Sequence, residues 1–315
     1  MRSLHRIKTL KVLFPWIPSV LLGQYGFLRS KNRALVVRLM GGLGNQMFQY
    51  ATAVNLAQCT GRIVFVDISY LCNRNRESTF VNREYQLDLF GIEAPLTYFR
   101  KFNSQVVTDN AFSFSKNLTV NKIDYMSVLN TVMRSDSSVM IDGYWQSTST
   151  IGERRHVIDL FDWEPKLANH SKNLLVEIQS DESVMVNVRR TDFLTNDIHG
   201  FVGLEYYTKA FEHIVDARPS AKFYIFSDDI EWCRKHFVND NEYVVGHEHA
   251  GNRFATYLYL MKQCKHFIIP NSTFAWWAAY LGQSTNSIVI RPRIFMHGIG
   301  NEHGDLYDGL DWFVI

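Results

Sequence analysis

The second half of the chain limits most sharply what it can fold into, because apolar runs of strand length alternate there with stretches of helical period. Runs at 184–189, Ala221–Phe226, Tyr243–Val245, His266–Ile269 and Ser287–Ile290 read as strands. Between them the patterns at Glu205–Asp216, Ile230–Phe237, Ala255–Gln263 and Phe274–Leu281 read as helices, and another helix follows Pro165 and runs to Ile178. Antiparallel neighbours need only tight turns, whereas a helix in each connection means a parallel sheet with covered faces. The first half begins in the same way. Ala34–Leu39 reads as a strand, Gly41–Gln46 as a glycine-rich turn, Met47–Gln58 as a helix and Ile63–Asp67 as a second strand, which together make one βαβ unit. Residues 68–135 show no clear period, and Ser138–Ile141 reads as a short strand. The expected fold class is α/β, with two Rossmann-like domains facing a central cleft. The expected divisions are a leader at 1–33, an N-terminal domain at 34–165 and a C-terminal domain at 166–315.

The strand Val184, Met185, Val186, Val188 ends in two arginines, Arg189 and Arg190. Ligands of open α/β sheets sit outside the carboxyl ends of the strands, and a guanidinium fork matches the oxygens of a phosphate. Asp192 follows closely enough to orient one arginine or to meet a second substrate. The other reading is a strand that ends in a solvated charge cluster. Ser227-Asp228-Asp229 also follows a strand; Asp229 suits a helix cap, and Asp228 can accept hydrogen bonds from a guanine edge or a ribose. In Asn271-Ser272-Thr273-Phe274 the hydroxyls are good N-caps, and a helix N-terminus is equally an anion site. Trp276 and Trp277 read as packing. The Gly41–Gln46 turn lets backbone amides approach a ligand or serves only as a turn. It is not the dinucleotide fingerprint, since Met47 stands where the third glycine belongs.

Basic and acidic residues nearly cancel, at 33 and 31, so the balance gives no support to nucleic-acid binding. Cys59, Cys72, Cys233 and Cys264 lack metal or redox spacing and read as reduced thiols. His247-x-His249 lacks a third ligand and reads as surface, and no Asp-x-Asp pair occurs, so no metal is expected. Charge on a phosphate leaving group would then be met by Arg189, Arg190 and a helix N-terminus. The leader has no acidic residue before Asp67, while Leu4, Ile7, Leu10 and Phe14 recur opposite Arg6, Lys8 and Lys11. That is the pattern of a basic amphipathic helix on an anionic membrane, or else of a mobile leader. The apolar run Val12–Leu22 contains Pro15 and Pro18 and falls short of the roughly 20 residues needed to span a bilayer. The expected location is cytoplasmic, peripheral on the inner face of the membrane through residues 2–22.

Several segments in register point further. GGLGNQMFQYA at 41–51, GYWQ at 143–146, VNVRRTDF at 186–193, EYYTKA at 205–210, FSDD at 226–229 and NSTFAWWAAYLG at 271–282 resemble the inverting α-1,2-fucosyltransferases of glycosyltransferase family eleven. The resemblance implies a GT-B fold, GDP-β-L-fucose as donor, no metal or other cofactor, and a terminal galactose of an oligosaccharide or glycolipid as acceptor. It implies that Arg189 holds the donor pyrophosphate and that Asp228 reads guanine or ribose. Ser272, Thr273 and Phe274 would line the phosphate pocket, Asn187 and Arg190 would contact the donor, and Gly42, Gly44 and Asn45 would approach it from the other domain. Asp192 is the candidate general base, or it orients Arg190. Where the family pattern has His, Gly and Tyr this chain has Asn187, Thr191 and Phe193, and Arg-Arg-Thr-Asp also looks like the related α-1,6-fucosyltransferases. Acceptor contacts are expected in 68–150, from aromatics such as Tyr85, Tyr144 and Trp145. Two alternatives stay open: a fucosyltransferase of other linkage (α-1,6 or peptide O-linked), and a nucleotide-sugar-binding protein without turnover. A nicotinamide-dependent oxidoreductase is disfavoured by Met47.

Overall fold

The computed structural model describes residues 16–30, 32–73, 83–109, 123–191, 194, 201–295 and 304–315. The chain divides into two compact units, Met1–Asp162 with Gly304–Asp308, and Trp163–His303 with Gly309–Ile315. Leu4, Ile7, Leu10 and Phe14 of the leader lie outside the described residues, as does Asp192.

Unit 1 opens with helix α1 (Ile17–Arg29), strand β1 (Ala34–Arg38), helix α2 (Leu43–Thr60), strand β2 (Ile63–Asp67) and the short helix α3 (Ser69–Cys72). It continues through β3 (Leu96–Thr97), β4 (Gln105–Thr108), α4 (Tyr125–Arg134), β5 (Val139–Asp142) and α5 (Arg154–Leu160). The sheet order is β3-β2-β1-β5-β4, with every pairing parallel. Ala34, Leu35, Val36 and Val37 are wholly buried, as expected of a central parallel strand covered on both faces. Helix α2 starts four residues before the period suggests, because Gly42 adopts an extended N-cap conformation. Gly44 and Asn45 therefore sit in its first turn, not in a loop. Helix α1, placed in the leader by sequence, is an integral part of unit 1: a Cβ on Gly23 would lie 1.8 Å from the Leu96 carbonyl oxygen. Phe27 packs on Phe65, Phe99 and Phe102.

The amino edge of this sheet is gathered by one side chain. Arg62 donates through Nη1 to the carbonyls of Asn32, Ala34 and Ser137 at 3.3, 3.4 and 2.8 Å. Its Nη2 donates to Val132 and Ser135 at 3.1 and 2.5 Å. Burial lowers the Arg62 pKa, with Asp136 acting in the opposite direction. Arg62→Ala should cost about 2 kcal/mol, since it leaves carbonyls of three segments without their donor. A fall in the denaturant midpoint at unchanged slope would confirm it; an unshifted midpoint would contradict it.

Unit 2 contains α6 (Asn169–Ser180), β6 (Glu182–Val188), α7 (Leu204–Ala217), β7 (Ala221–Ser227), α8 (Ile230–His236) and β8 (Glu242–Val244). Then follow α9 (Ala255–Lys262), β9 (His266–Ile268), α10 (Thr273–Gly282), β10 (Val289–Arg291), the short helix α11 (Gly304–Tyr307), which clusters with unit 1, and β11 (Phe313–Val314). The parallel sheet has the order β11-β10-β9-β6-β7-β8. Val184, Val186 and Val188 meet Phe223, Ile225, Ile268 and Ile290, and Tyr207, Ala210 and Ile214 of α7 close over them. From β6 the chain winds outward through β7 and β8, then returns to place β9, β10 and β11 on the other side. The reversal between β6 and β9 is a topological switch point, where doubly wound sheets bind ligands.

The surface reading of His249 is corrected. It is 6% exposed, with Nδ1 3.1 Å from Ser171 Oγ and its ring 4.9 Å from that of His170. Burial lowers its pKa from 6.5, Glu248 opposes this and His170 adds to it. The native state therefore holds it neutral. A depressed pKa means that this stability is present above 6.5 and is lost as pH falls through the lower folded value. Melting temperature should drop as the pH falls from 6.5 toward that lower value, and His249→Gln should flatten the dependence. An equal slope in the variant would assign the acid sensitivity elsewhere.

Candidate functional site

The β6–β9 register sets Val186 beside Ile268, so the segments that begin with Asn187 and with Ile269 leave the sheet as neighbours. Their positions are pinned from α7. Tyr207 donates its hydroxyl to the Asn187 carbonyl at 3.0 Å, and Tyr206 donates to the carbonyls of Ile269 and Ile290 at 2.5 and 3.2 Å. Burial raises the Tyr207 pKa well above its ordinary value, which keeps the phenol a donor. Asn187 is itself buried and donates Nδ2 to the Phe226 carbonyl at 3.1 Å, tying β6 to β7.

Past the end of β6, the two arginines are held by two different carboxylates. Arg189 Nη1 lies 3.0 Å from Asp228 Oδ2. Asp228 also accepts the backbone N–H of Arg190 at 2.9 Å, that of Thr191 at 3.2 Å and the Thr191 hydroxyl. Four donors thus converge on one carboxylate, and Asp228 shapes the turn that presents Arg189. Arg190 turns the other way: Nη1 meets Asp229 Oδ2 at 2.5 Å, and the guanidinium lies 5.0 Å over Trp232 and 5.9 Å over Phe201. Asp229 caps α8 as its position suggests, accepting from Trp232 N at 3.1 Å. Cys233 beneath this turn is no thiolate at neutral pH, since burial pushes its pKa up to about 12.

Across the switch point, α10 begins at Thr273 with Ser272 in the N-cap position. The Ser272 hydroxyl does not cap the helix, and its backbone N–H bonds the Pro270 carbonyl at 2.8 Å. Thr273 and Phe274 occupy the first turn, half-buried. Trp276 and Trp277 are wholly buried, as packing residues should be. The sheet end thus offers Arg189 and a helix amino end on neighbouring segments, an arrangement suited to an anion.

Unit 1 repeats the logic at its own reversal, between β1 and β5. Gly41 has φ +74°, and a Cβ there would lie 2.3 Å from Asn45 Nδ2, so only glycine fits. Gln146 Nε2 donates to Asn45 Oδ1 at 2.9 Å. Gln46 Nε2 donates to the carbonyls of Gly41 and Glu84 at 3.1 and 2.7 Å. Gln49 accepts from Met40 N at 3.1 Å and donates to the Gly143 carbonyl at 3.0 Å. Arg38 closes the sheet end by bonding Asp67 at 3.0 Å and Asp142 at 2.6 Å. Asp109 accepts from Tyr144 N at 2.6 Å and Trp145 N at 2.9 Å. Trp145 has φ +54°, and its buried indole N–H has no partner among the described residues. Strained backbone and unmet buried donors concentrate at functional sites. Of the three expected acceptor aromatics, Tyr85 and Trp145 are buried and Tyr144 is half-buried.

Gln46, Gln49 and Asp109 were not among the expected site residues. The two glutamines were legible in principle, since they share the 46, 49, 53, 56 face of α2 with Ala53 and Leu56, all wholly buried. A polar side chain on an apolar face must find buried partners. Among the described residues no group of three or more His, Cys, Asp or Glu is gathered as metal ligands. A cavity of about 400 Å³ lined by Asn32, Arg33, Arg62 and Asp136 lies at the amino edge of the unit 1 sheet, away from the β1–β5 switch point.

The model of the family described as Glycosyl transferase family 11 matches residues 136–296, just over half of the chain. The chain belongs to glycosyl transferase family 11. This family 11 chain is a glycosyltransferase, and its relatives agree. It is 29% identical over 286 residues to the O-antigen biosynthesis glycosyltransferase WbnK of Escherichia coli, covering 82% of this chain and 94% of that protein. It is 28% identical over 287 residues to an alpha-1,2-colitosyltransferase of Escherichia coli, covering 82% and 91%. The galactoside 2-alpha-L-fucosyltransferase Sec1 of Mus musculus is 28% identical over 260 residues, 78% of this chain and 63% of that protein. Among solved structures, fucosyltransferase NodZ from Bradyrhizobium aligns with TM-score 0.47 at 17% identity, over 79% of this chain and 92% of that one.

Proposed function

We propose that this family 11 enzyme transfers L-fucose from GDP-β-L-fucose, with inversion and without a metal, to the 2-hydroxyl of a terminal galactose in a glycan. The observation that carries the reading is Arg189, fixed by Asp228 at the β6–β9 switch point beside the amino end of α10. In the proposed reaction the acceptor O2 attacks fucose C1 as the bond from C1 to the β-phosphate oxygen breaks, through an oxocarbenium-like transition state. The acceptor proton passes to a general base, for which Asp192 is the candidate. Holding the acceptor hydroxyl in line with C1 contributes roughly 7–11 kcal/mol. Negative charge that grows on the leaving β-phosphate meets the Arg189 guanidinium and the positive end of the α10 dipole, which act without reorganisation. Ser272, Thr273 and Phe274 line this phosphate position in the proposal.

The test is GDP release from GDP-fucose with and without lactose, repeated in EDTA. Release that depends on lactose and survives EDTA is expected, with the linkage then read from the product. Loss of activity in EDTA would overturn the metal-free mechanism. The likeness to an alpha-1,2-colitosyltransferase supports a second reading, a donor that carries a sugar other than fucose. Tight GDP binding with no GDP release from GDP-fucose would favour it.

A further inference from the structure

We infer that helix α1 is an interfacial element that lays its outer face on an anionic phospholipid surface. Positions 20, 23, 24 and 27 of this helix face the protein, through Val20, Gly23, Phe27 and the Gln24 amide, which donates to the Tyr98 carbonyl at 2.9 Å. On a wheel of 100° per residue, positions 21, 22, 25 and 28 fall together on the other side, about 90–150° from the centre of the packed face. They are Leu21, Leu22, Tyr25 and Leu28, exposed by 65, 72, 58 and 77%. Three leucines and a tyrosine on one outward stripe are an apolar patch that water does not favour, on an element already anchored by its other face.

The charge around this stripe selects the occupant. Arg29 ends the helix and its guanidinium lies 5.2 Å over the Tyr25 ring, and Arg33 follows on the exposed link to β1. Lys31 and the preceding Arg2, Arg6, Lys8 and Lys11 have the same sign, and no Asp or Glu occurs before Asp67. An apolar stripe with Arg29 at its end, in a stretch of sequence that carries only positive charge, matches a bilayer whose headgroups are negative. The helix has 13 residues, and among the described residues no helix is long and apolar enough to cross a membrane. It lies on the surface and does not span it. The rigid seat of Gly23 against Leu96 then couples the membrane plane directly to the unit 1 sheet.

The test is flotation of the full chain with phosphatidylcholine vesicles, with and without phosphatidylglycerol. Binding is expected only when phosphatidylglycerol is present, and it should weaken in 1 M salt, where the Debye length is about 3 Å. The triple variant Leu21→Gln, Leu22→Gln, Leu28→Gln should partition about 100-fold more weakly, because each leucine loses part of its transfer energy. Its melting temperature and GDP binding should be unchanged, since all three side chains are largely exposed. The double variant Arg29→Gln, Arg33→Gln should show a weaker preference for phosphatidylglycerol, and an unchanged one would remove these two residues from the contact. Equal flotation of the triple variant would assign binding to residues 1–15 and overturn the proposal. So would failure of the wild type to float, or a dimer in sedimentation that the triple variant dissociates, which would identify a second copy as the occupant. Vesicle binding needs no sugar donor, so this result is independent of the fucosyl-transfer assay.

Discussion

Replacement of Arg189 by alanine is expected to lower kcat by about 10²–10³-fold, the usual effect of removing one donor aimed at developing charge. Arg189 stands past the end of β6 on a turn that Asp228 organises, so its direction is set before substrate arrives. Truncation leaves the turn held, because Asp228 keeps the Arg190 and Thr191 backbone N–H groups and the Thr191 hydroxyl, so melting should shift by little. Arg189→Lys should fall between the two, since an ammonium keeps the charge but not the two-pronged geometry. The check is steady-state turnover of GDP-fucose together with a thermal melt. Activity near wild type in a well-folded Arg189→Ala protein would remove the residue from the mechanism.

Asp228→Asn carries the second large effect, and its form distinguishes two roles. The carboxylate receives Arg189, two backbone N–H groups and the Thr191 hydroxyl, which makes it the element that positions the arginine turn. An amide can accept fewer of these bonds and offers no charge to Arg189. The expected outcome is a kcat lower by about 10–100-fold with the KM for GDP-fucose changed by only about twofold, the pattern of an interaction that matters in the transition state. A raised KM with kcat preserved would mean instead that Asp228 contacts guanine or ribose directly. Guanosine as a competitive inhibitor sharpens the comparison, since without a phosphate its affinity should be unaffected by loss of a contact that positions Arg189 and weakened by loss of a base or ribose contact.

Much of this arrangement was legible in the chain itself. The alternation of strands and helices after residue 180 specified a parallel sheet because each connection was long enough to be a crossover and too apolar to be a loop. The places of Arg189, Ser272 and Thr273 just past strand ends were legible for the same reason. Elements without a periodic signal were missed. The two-residue strands Leu96–Thr97 and Phe313–Val314 exist only because β2 and β10 offer them an edge, and two residues cannot display a period. The early start of α2 was missed because an extended Gly42 caps the helix, and Gly44 in its first turn looks like loop in a sequence.

Sequence alone determined the chemistry at hand: two arginines after a buried strand, hydroxyls before a buried helix, two adjacent aspartates, and a first 66 residues without a negative charge. Tertiary structure decided which partner each group takes. Asp228 and Asp229 are neighbours of one type, yet one gathers the Arg189 turn and the other caps α8 and holds Arg190. Composition cannot separate them, because their roles depend on the two arginines that follow β6, each 39 positions earlier than its carboxylate. In the same way Leu21 and Gly23 differ in fate because helical rotation turns one outward and presses the other onto Leu96. Local pattern specifies what a segment can form; the long-range register of parallel strands specifies what its side chains meet.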